Sequence, residues 1–423
     1  METMAQLALR LEGMTLYTQI RSLPPVAALL SLWKETQKPQ PDFSTALEQY
    51  SRFCSQLFAQ EESGSFPDYL FDRVLQDENI FTLSCARGQF DSLPSLLKQA
   101  AAYDLDACWQ LSRLQPGEVK ELLSQTFPAQ KELIGALAEF CPEHCRYQPL
   151  ERWGEHLASF ADHHAKNGVG VYCKYYAFAL EEGKIVPVKQ FHAAPLSALK
   201  KYEAQKQKLL DNTLSFLHGQ HAHHVLLYGD RGTGKSTSVR ALLHDYHQMG
   251  LRMIQISKED IGSLAGVLRT IRPLPLKFIL FIDDLTFEES DANFNTLKAV
   301  LEGSLSGMPD NALIYATTNR RHLIKETFTS REGSEIHASD TRDEAASLSD
   351  RFGLVLTYMK PTPQEYADIV LALAADRGIQ LDEETIRQGA NRFATRKGSR
   401  SGRVARQYVD QLESRLAMGL DAE

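Results

Sequence analysis

Gly229-Asp230-Arg231-Gly232-Thr233-Gly234-Lys235-Ser236 spells G-x-x-x-x-G-K-[ST]. The apolar run Val225-Leu226-Leu227-Tyr228 stands directly before it, and Thr237-Ser238-Val239-Arg240-Ala241-Leu242-Leu243 follows with helix-like composition. A glycine-rich turn between a strand and a helix is the setting in which this pattern cradles phosphates. The glycines let the backbone curl so that its N–H groups face an anion, and the helix adds the positive end of its dipole. Lys235 is then placed to reach β- and γ-phosphates and the Ser236 hydroxyl to ligate Mg²⁺. Gly229, Asp230, Arg231, Gly232, Thr233, Gly234, Lys235, Ser236 and Thr237 form the candidate nucleotide-binding set. The competing reading is a glycine-rich turn with a surface lysine, and the flanking strand and helix weigh against it.

At 423 residues the chain exceeds what one hydrophobic core usually serves, which predicts two or three domains. With 43% hydrophobic and 24% charged residues the composition is that of an ordinary soluble protein. The first residues, Met1-Glu2-Thr3-Met4-Ala5-Gln6, lack a basic start and apolar core, and no apolar run approaches the ~20 residues that span a bilayer. The expectation is a cytoplasmic protein with no membrane partner. A formal net charge of -8 argues against a whole-surface nucleic-acid binder while leaving room for one basic patch. All six cysteines precede the glycine-rich loop: Cys54, Cys85, Cys108, Cys141, Cys145 and Cys173. Cys141-Pro142-Glu143-His144-Cys145, with His156, His163, His164 and Cys173, assembles into a zinc site on paper, but the spacing matches no common zinc pattern. Ordinary reduced thiols are the expected reading.

The chain divides by pattern into four parts. Residues 1–167 read as a helical domain, with Ala46-Leu47, Tyr50, Phe53-Cys54 and Leu57-Phe58 recurring at helical spacing, as do Leu122-Leu123, Leu133, Ala136-Leu137 and Phe140. Residues 168–189 hold β-branched and aromatic residues around Glu181-Glu182-Gly183, which predicts a small hairpin connecting two domains. Residues 190–359 alternate helices with the candidate strands His224–Tyr228, Met253–Ile256, Phe278–Ile282, Ala312–Ala316 and Leu354–Tyr358, the signature of a parallel sheet covered on both faces. Ligands of such sheets bind at the carboxyl ends of the strands. After Lys360-Pro361-Thr362-Pro363, residues 360–423 read as a helical lid built from Glu365–Asp376, Glu383–Phe393 and Gly402–Met418.

The tips of these strands carry the remaining candidates. Phe278–Ile282 delivers Asp283-Asp284: Asp283 is expected to hold Mg²⁺ beside the loop, and Asp284 to polarise an attacking water. A helix cap is the alternative for Asp284. Ala312–Ala316 runs into Thr317-Thr318-Asn319-Arg320-Arg321-His322, where Asn319 is suited to orient water and sense the γ-phosphate. That tip does not resemble the N-K-x-D of guanine readers, so adenine is the expected base and ATP the expected ligand. Arg351, just before the fifth strand in Asp350-Arg351-Phe352-Gly353, is placed to complete a neighbour's site in a ring or filament, or else to pair with Asp350 or Asp343 on the surface. The run from Arg392 to Arg406 holds six cations and no acid. Within it Arg403, at the start of a lid helix, is the expected contact to the γ-phosphate, with Arg406 second; the surplus cations suit a solvated face or nucleic-acid phosphates.

These motifs together resemble the AAA+ ATPases. The match is carried by the loop Gly229–Ser236, Asp283-Asp284, Asn319, Leu348-Ser349-Asp350-Arg351-Phe352-Gly353 and Gly402-Arg403. From about Pro195 to Met418 the chain looks like a bacterial AAA+ group of unknown cellular function, and the segment around Arg351 is similar to that of replication initiators. The resemblance implies an α/β P-loop core with a five-stranded parallel sheet in the order 5-1-4-3-2, a nucleotide held between core and lid, and homo-oligomers joined through Arg351. One departure bears on rate: most hydrolytic members carry Asp-Glu where this chain has Asp283-Asp284, and the shorter side chain points to slow turnover, with Glu288 or Glu289 as substitutes if the turn folds back. No aromatic-hydrophobic-glycine pore motif is present, so threading of polypeptide is weakly supported. The expected function is ATP hydrolysis coupled to remodelling of a protein or nucleic-acid client. A nucleotide-gated assembly switch with slow hydrolysis, DNA among its candidate partners, is the alternative, and a small-molecule phosphotransferase is a third.

Overall fold

The computed structural model of the chain describes residues 4–59, 64–287, 292–302, 307–319 and 350–418. Backbone contacts divide it into two compact units, Met1–Lys174 and Tyr175–Glu423.

The first unit is helical among its described residues: α1 Met4–Glu12, α2 Pro24–Thr36, α3 Phe43–Phe58, α4 Phe66–Leu75, α5 Ile80–Ala86, α6 Ser95–Ser112, α7 Pro116–Thr126, α8 Lys131–Gly135, α9 Leu157–Asn167 and α10 Val171–Lys174. Side-chain caps fix several starts. The Asp42 carboxylate accepts from the Thr45 N–H at 2.7 Å ahead of α3, Ser65 caps α4, and Asn79 with Thr82 forms a capping box on α5. The core is aromatic: Phe53, Phe66 and Phe140 meet edge to face at 5.0–5.8 Å, and Trp153 is wholly buried against Phe71. One buried carboxylate of this unit is turned wholly onto its backbone. Asp104, with no exposed surface, accepts from the N–H groups of Thr15, Leu16 and Tyr17.

The second unit contains β1 Ala177–Glu181, β2 Lys184–Pro187, α11 Glu203–Leu217, β3 Val225–Gly229, α12 Lys235–Tyr246, β4 Leu251–Ile256, α13 Leu264–Ile271, β5 Lys277–Ile282, α14 Ala292–Leu301, β6 Ala312–Thr318, β7 Leu354–Tyr358, α15 Pro363–Asp376, α16 Glu383–Lys397 and α17 Gly402–Ala417. Its sheet has seven strands in the order β2-β1-β4-β5-β6-β3-β7. The five strands read from the sequence lie contiguously in the implied order: β7, β3, β6, β5, β4. The expected five-stranded sheet is corrected by the hairpin. Val171–Lys174 is helical, and β1 pairs parallel with β4, Phe178 opposite Ile254, so the supposed connector extends the sheet by two strands. The physical reason is the edge of β4, whose apolar strand would otherwise present unpaired backbone groups. Buried Ala177, Phe178 and Leu180 cover it, and the new edge, β2, carries Lys184 and Pro187, which discourage further pairing.

Strands β3, β5 and β6 are apolar on both faces because helices cover both sides. A capping box between Thr362 and Glu365, with Pro363 in the first turn, starts α15; Gly398, in the left-handed region at φ 63°, ends α16. The lid helices close on their own core of Tyr366, Val370, Ala390, Ala405, Val409 and Leu412. Among the described residues no helix is long and apolar enough to cross a membrane.

Candidate functional site

A cavity of about 660 Å³ opens at the carboxyl end of β3. Its floor is the loop from Gly229 to Ser236, and two glycines there are required by close approach. Gly229 has φ 142°, and a Cβ on it would sit 2.0 Å from the Tyr358 carbonyl oxygen of β7. Gly234 has φ 100°, and its Cβ would meet Leu199 Cδ1 at 2.8 Å. Bulkier residues would therefore push the loop off the sheet or displace the chain above it.

The Lys235 ammonium lies inside the curl of the loop. It donates to the carbonyls of Gly229 at 2.8 Å and Asp230 at 2.7 Å, and to Asn319 Oδ1 at 3.0 Å. Burial lowers its pKa from the ordinary lysine value, opposed by the nearby carboxylates of Asp230, Asp284 and Asp283. Asn319 then spans to the acidic pair: its Nδ2 donates to Asp284 Oδ1 at 2.6 Å. Asp283 Oδ1 accepts from the hydroxyls of Ser236 at 2.5 Å and Thr317 at 2.6 Å, while Arg240 approaches Oδ2 at 3.4 Å. Asp284 adopts φ 54°, a left-handed conformation that aspartate tolerates better than most residues, and its N–H donates to Thr317 Oγ1 at 3.0 Å. Its side chain is exposed to the cavity. The oxygens of Ser236, Asp283 and Thr317 form a set of hard donors of the kind magnesium takes.

The roof comes from two other segments. Ala198, Leu199, Lys200 and Tyr202 form a strap ahead of α11, and Ile369 and Leu373 face the cavity from α15. Lys200 pairs with Asp376 at 2.7 Å and Lys201 pairs with Glu365, tying the strap to both ends of that helix. The Lys201 ammonium and the Thr362 N–H hold the Glu365 carboxyl down at about 2. Arg403 and Arg406 line the far wall from α17, and the Arg403 N–H donates to the Gly232 carbonyl at 3.2 Å. Six cationic side chains (Lys200, Arg231, Lys235, Arg240, Arg403 and Arg406) face three carboxylates (Asp283, Asp284 and Asp410), a surplus that suits a polyanion.

Of the residues singled out from the sequence, Arg231 to Thr237, Asp283, Asp284, Asn319 and Arg403 all line this one cavity, and Gly229 and Asp230 shape its floor. Arg351 does not. It pairs with Glu302, just beyond α14, rather than with Asp350. Arg320, Arg321, His322, Asp343, Leu348, Ser349, Glu288 and Glu289 lie outside the described residues. Thr317, Arg240 and the strap were missed. Thr317 stands in the quoted strand tip, and its hydroxyl two positions before Asn319 was the available signal; the strap has no motif and is recognised only by what it touches. Among the described residues no three His, Cys, Asp or Glu side chains converge on a metal position.

The family described as "Protein of unknown function (DUF815)" matches residues 173–416. No curated protein matches. Among solved structures, the Thermotoga maritima RuvB Holliday junction branch migration motor is 19% identical with a TM-score of 0.37, over 52% of this chain and 65% of that one. A mutant of the same protein is 18% identical with a TM-score of 0.40, over 54% of this chain and 68% of that one. The FIGL-1 AAA domain in complex with ADP is 20% identical with a TM-score of 0.34, over 54% of this chain and 75% of that one. The family match covers more than half of its length, so this chain belongs to the DUF815 family, and its sheet unit has the strand order and the P-loop between β3 and α12 that the resemblance to AAA+ proteins implies.

Proposed function

We propose that the chain binds ATP with Mg²⁺ in the cavity between sheet and lid and hydrolyses it, using the cycle to remodel a partner. The observation that carries this reading is convergence: loop, acidic strand tip, Asn319 and two lid arginines, far apart in sequence, line one basic cavity. Loop amides and Lys235 clamp the phosphates, the lysine exchanging the carbonyls of Gly229 and Asp230 for phosphate oxygens. Ser236 and Asp283 hold the divalent ion, with the Thr317 hydroxyl fixing the carboxylate. Magnesium, when bound, neutralises charge developing on the β- and γ-phosphates. Asp284 orients water under the control of Asn319, and Arg403 covers the γ-phosphate from the lid. Leu199, Tyr202, Ile369 and Leu373 supply apolar surface for the base.

The direct test is phosphate release by the purified chain with Mg²⁺ and ATP. Asp284→Ala should abolish turnover while ATP binding persists; an unchanged rate removes Asp284 from the chemistry. One observation favours the slower, switch-like reading. Arg351 is paired within its own chain by Glu302, so its service to a neighbouring subunit requires that pair to open. If assembly recruits it, native mass measurement with a slowly hydrolysed ATP analogue should show oligomers, and Arg351→Ala should lower turnover by about 10³-fold. If the chain is a switch, the same substitution weakens assembly and barely changes an already low rate. The exposed cations Arg392, Arg396 and Lys397 on α16 leave a nucleic-acid client open.

A further inference from the structure

The helical unit holds a second chemical centre, unrelated to phosphate. Cys141 Sγ and Cys145 Sγ lie 3.7 Å apart. A disulfide needs about 2.0 Å, so closure asks for side-chain rotation rather than a new backbone path. The approach is enforced by the fold. Asp68, at the start of α4 and only 1% exposed, accepts from His144 Nδ1, the Cys145 N–H and the Arg146 N–H, each at 2.8 Å. Ser65 Oγ donates to the Glu143 carbonyl at 2.6 Å, and the Phe66 N–H donates to the Cys141 carbonyl at 3.0 Å. Both ends of the Cys141–Cys145 turn are thus pinned to one helix start. Exposure differs among the six thiols, Cys141 and Cys173 being alike at an intermediate level and Cys173 held by the shorter thiol–carbonyl contact, 2.9 Å against 3.7 Å. Cys145 is exposed and Cys141 partly so, whereas Cys54, Cys85 and Cys108 are buried and Cys173 donates its thiol to the Gly168 carbonyl.

We propose that Cys141 and Cys145 form a thiol–disulfide exchange site for small disulfides of the glutathione class, closing reversibly into an intrachain disulfide. Cys145, the more accessible thiol, attacks as its thiolate. Its sulfur bonds to one sulfur of the small disulfide, and the other leaves as a thiolate that takes up the released proton. Cys141 then loses its proton and attacks the Cys145 sulfur, expelling the second small thiol. Two protein thiols are oxidised and one small disulfide is reduced to two thiols. Burial raises the Cys141 thiol above its ordinary pKa, which suits the second, intramolecular step where proximity replaces reactivity.

The test uses the full chain and oxidised glutathione, followed by tryptic mass mapping without reduction. Peptide 132–146 carries both cysteines and no other. The expected result is loss of two hydrogens from that peptide, with no lasting glutathionyl group. Cys141→Ser should stop at the mixed disulfide on Cys145, with at least about tenfold higher occupancy than wild type. Serine is close in size to the partly exposed Cys141 that it replaces, and the wild-type reaction reads the proposal independently of any variant. A stable glutathionyl group on wild-type Cys145, or modification of Cys173 as fast as of this pair, would overturn it.

Discussion

Asp104 in the helical unit and the Asp283–Asp284 pair in the sheet unit are held in opposite ways. Asp104 in the helical unit has its oxygens occupied by three backbone N–H groups of one turn, and nothing in solution competes for them. Asp283 and Asp284 in the sheet unit are satisfied by Ser236, Thr317 and Asn319, side chains that can rotate and exchange partners. The lesson concerns capacity. A carboxylate saturated by its own backbone holds a fold together, whereas one held by hydroxyls and an amide at a strand tip keeps oxygens available to a ligand.

That contrast is open to attack from either side, helped by the placement of all three tryptophans, Trp33, Trp109 and Trp153, in the helical unit. Tryptophan fluorescence therefore follows that unit, and the nucleotide-induced shift of an unfolding transition follows the other. The largest effect belongs to Lys235→Ala, which should weaken ATP binding in a calorimeter by about 100-fold or more, from loss of charge-assisted contacts. Undiminished affinity would break the assignment of the cavity.

Next in size is Asp104→Ala. Leaving three backbone N–H groups without their acceptor should cost the helical unit about 3 kcal/mol in urea unfolding read by tryptophan, with ATP affinity unchanged. Lost ATP binding in that variant would deny that the two kinds of carboxylate do separate work.

Acid comes third. Burial depresses His164 in the helical unit and His224 in the sheet unit to about 4, and His224 Nδ1 accepts the Ile314 N–H at 3.1 Å, which requires the neutral ring. The folded values lie below the unfolded one of about 6.5, so the unfolded chain binds more protons. This stability is complete above pH 6.5 and is lost as pH falls toward 4, by about 3 kcal/mol per histidine. His224→Gln should flatten that slope for the nucleotide-sensitive transition alone. Asp77, raised to about 6 by burial, opposes the trend in the helical unit: its contribution is present at low pH and fades as pH rises through 6. Asp77→Asn should therefore steepen the acid loss seen by tryptophan.

The smallest effect is at the roof. Lys201→Ala removes one partly exposed ion pair between strap and lid and should lower ATP affinity no more than about fivefold.

How much of this was readable in the sequence follows the range of the interactions. The loop at Gly229–Ser236 and the strands β3 to β7 announce themselves because apolar runs, glycines and a terminal carboxylate are local patterns. Asn319 and Arg403 were found by their position at a strand tip and a helix start. The strap escaped because nothing in Ala198-Leu199-Lys200 looks unusual until Leu199 is seen over Gly234. The hairpin was legible as a hairpin, but its pairing with β4, Phe178 opposite Ile254, joins residues 76 positions apart and leaves no periodic trace. The Arg351–Glu302 pair is likewise a tertiary choice among many carboxylates.

The tight seam at Gly229 has a consequence for signalling. The Asp230 N–H donates to the Tyr358 carbonyl at 3.0 Å, Asp230 Oδ2 accepts the Lys360 N–H at 2.9 Å, and α15 begins at Pro363. The loop proposed to hold phosphate and the stem from which the lid rises are thus sewn together at adjacent residues. News of an occupied loop needs no relay through the sheet to reach the helices above it, and lengthening the stem after Lys360 would silence the message while leaving the pocket whole.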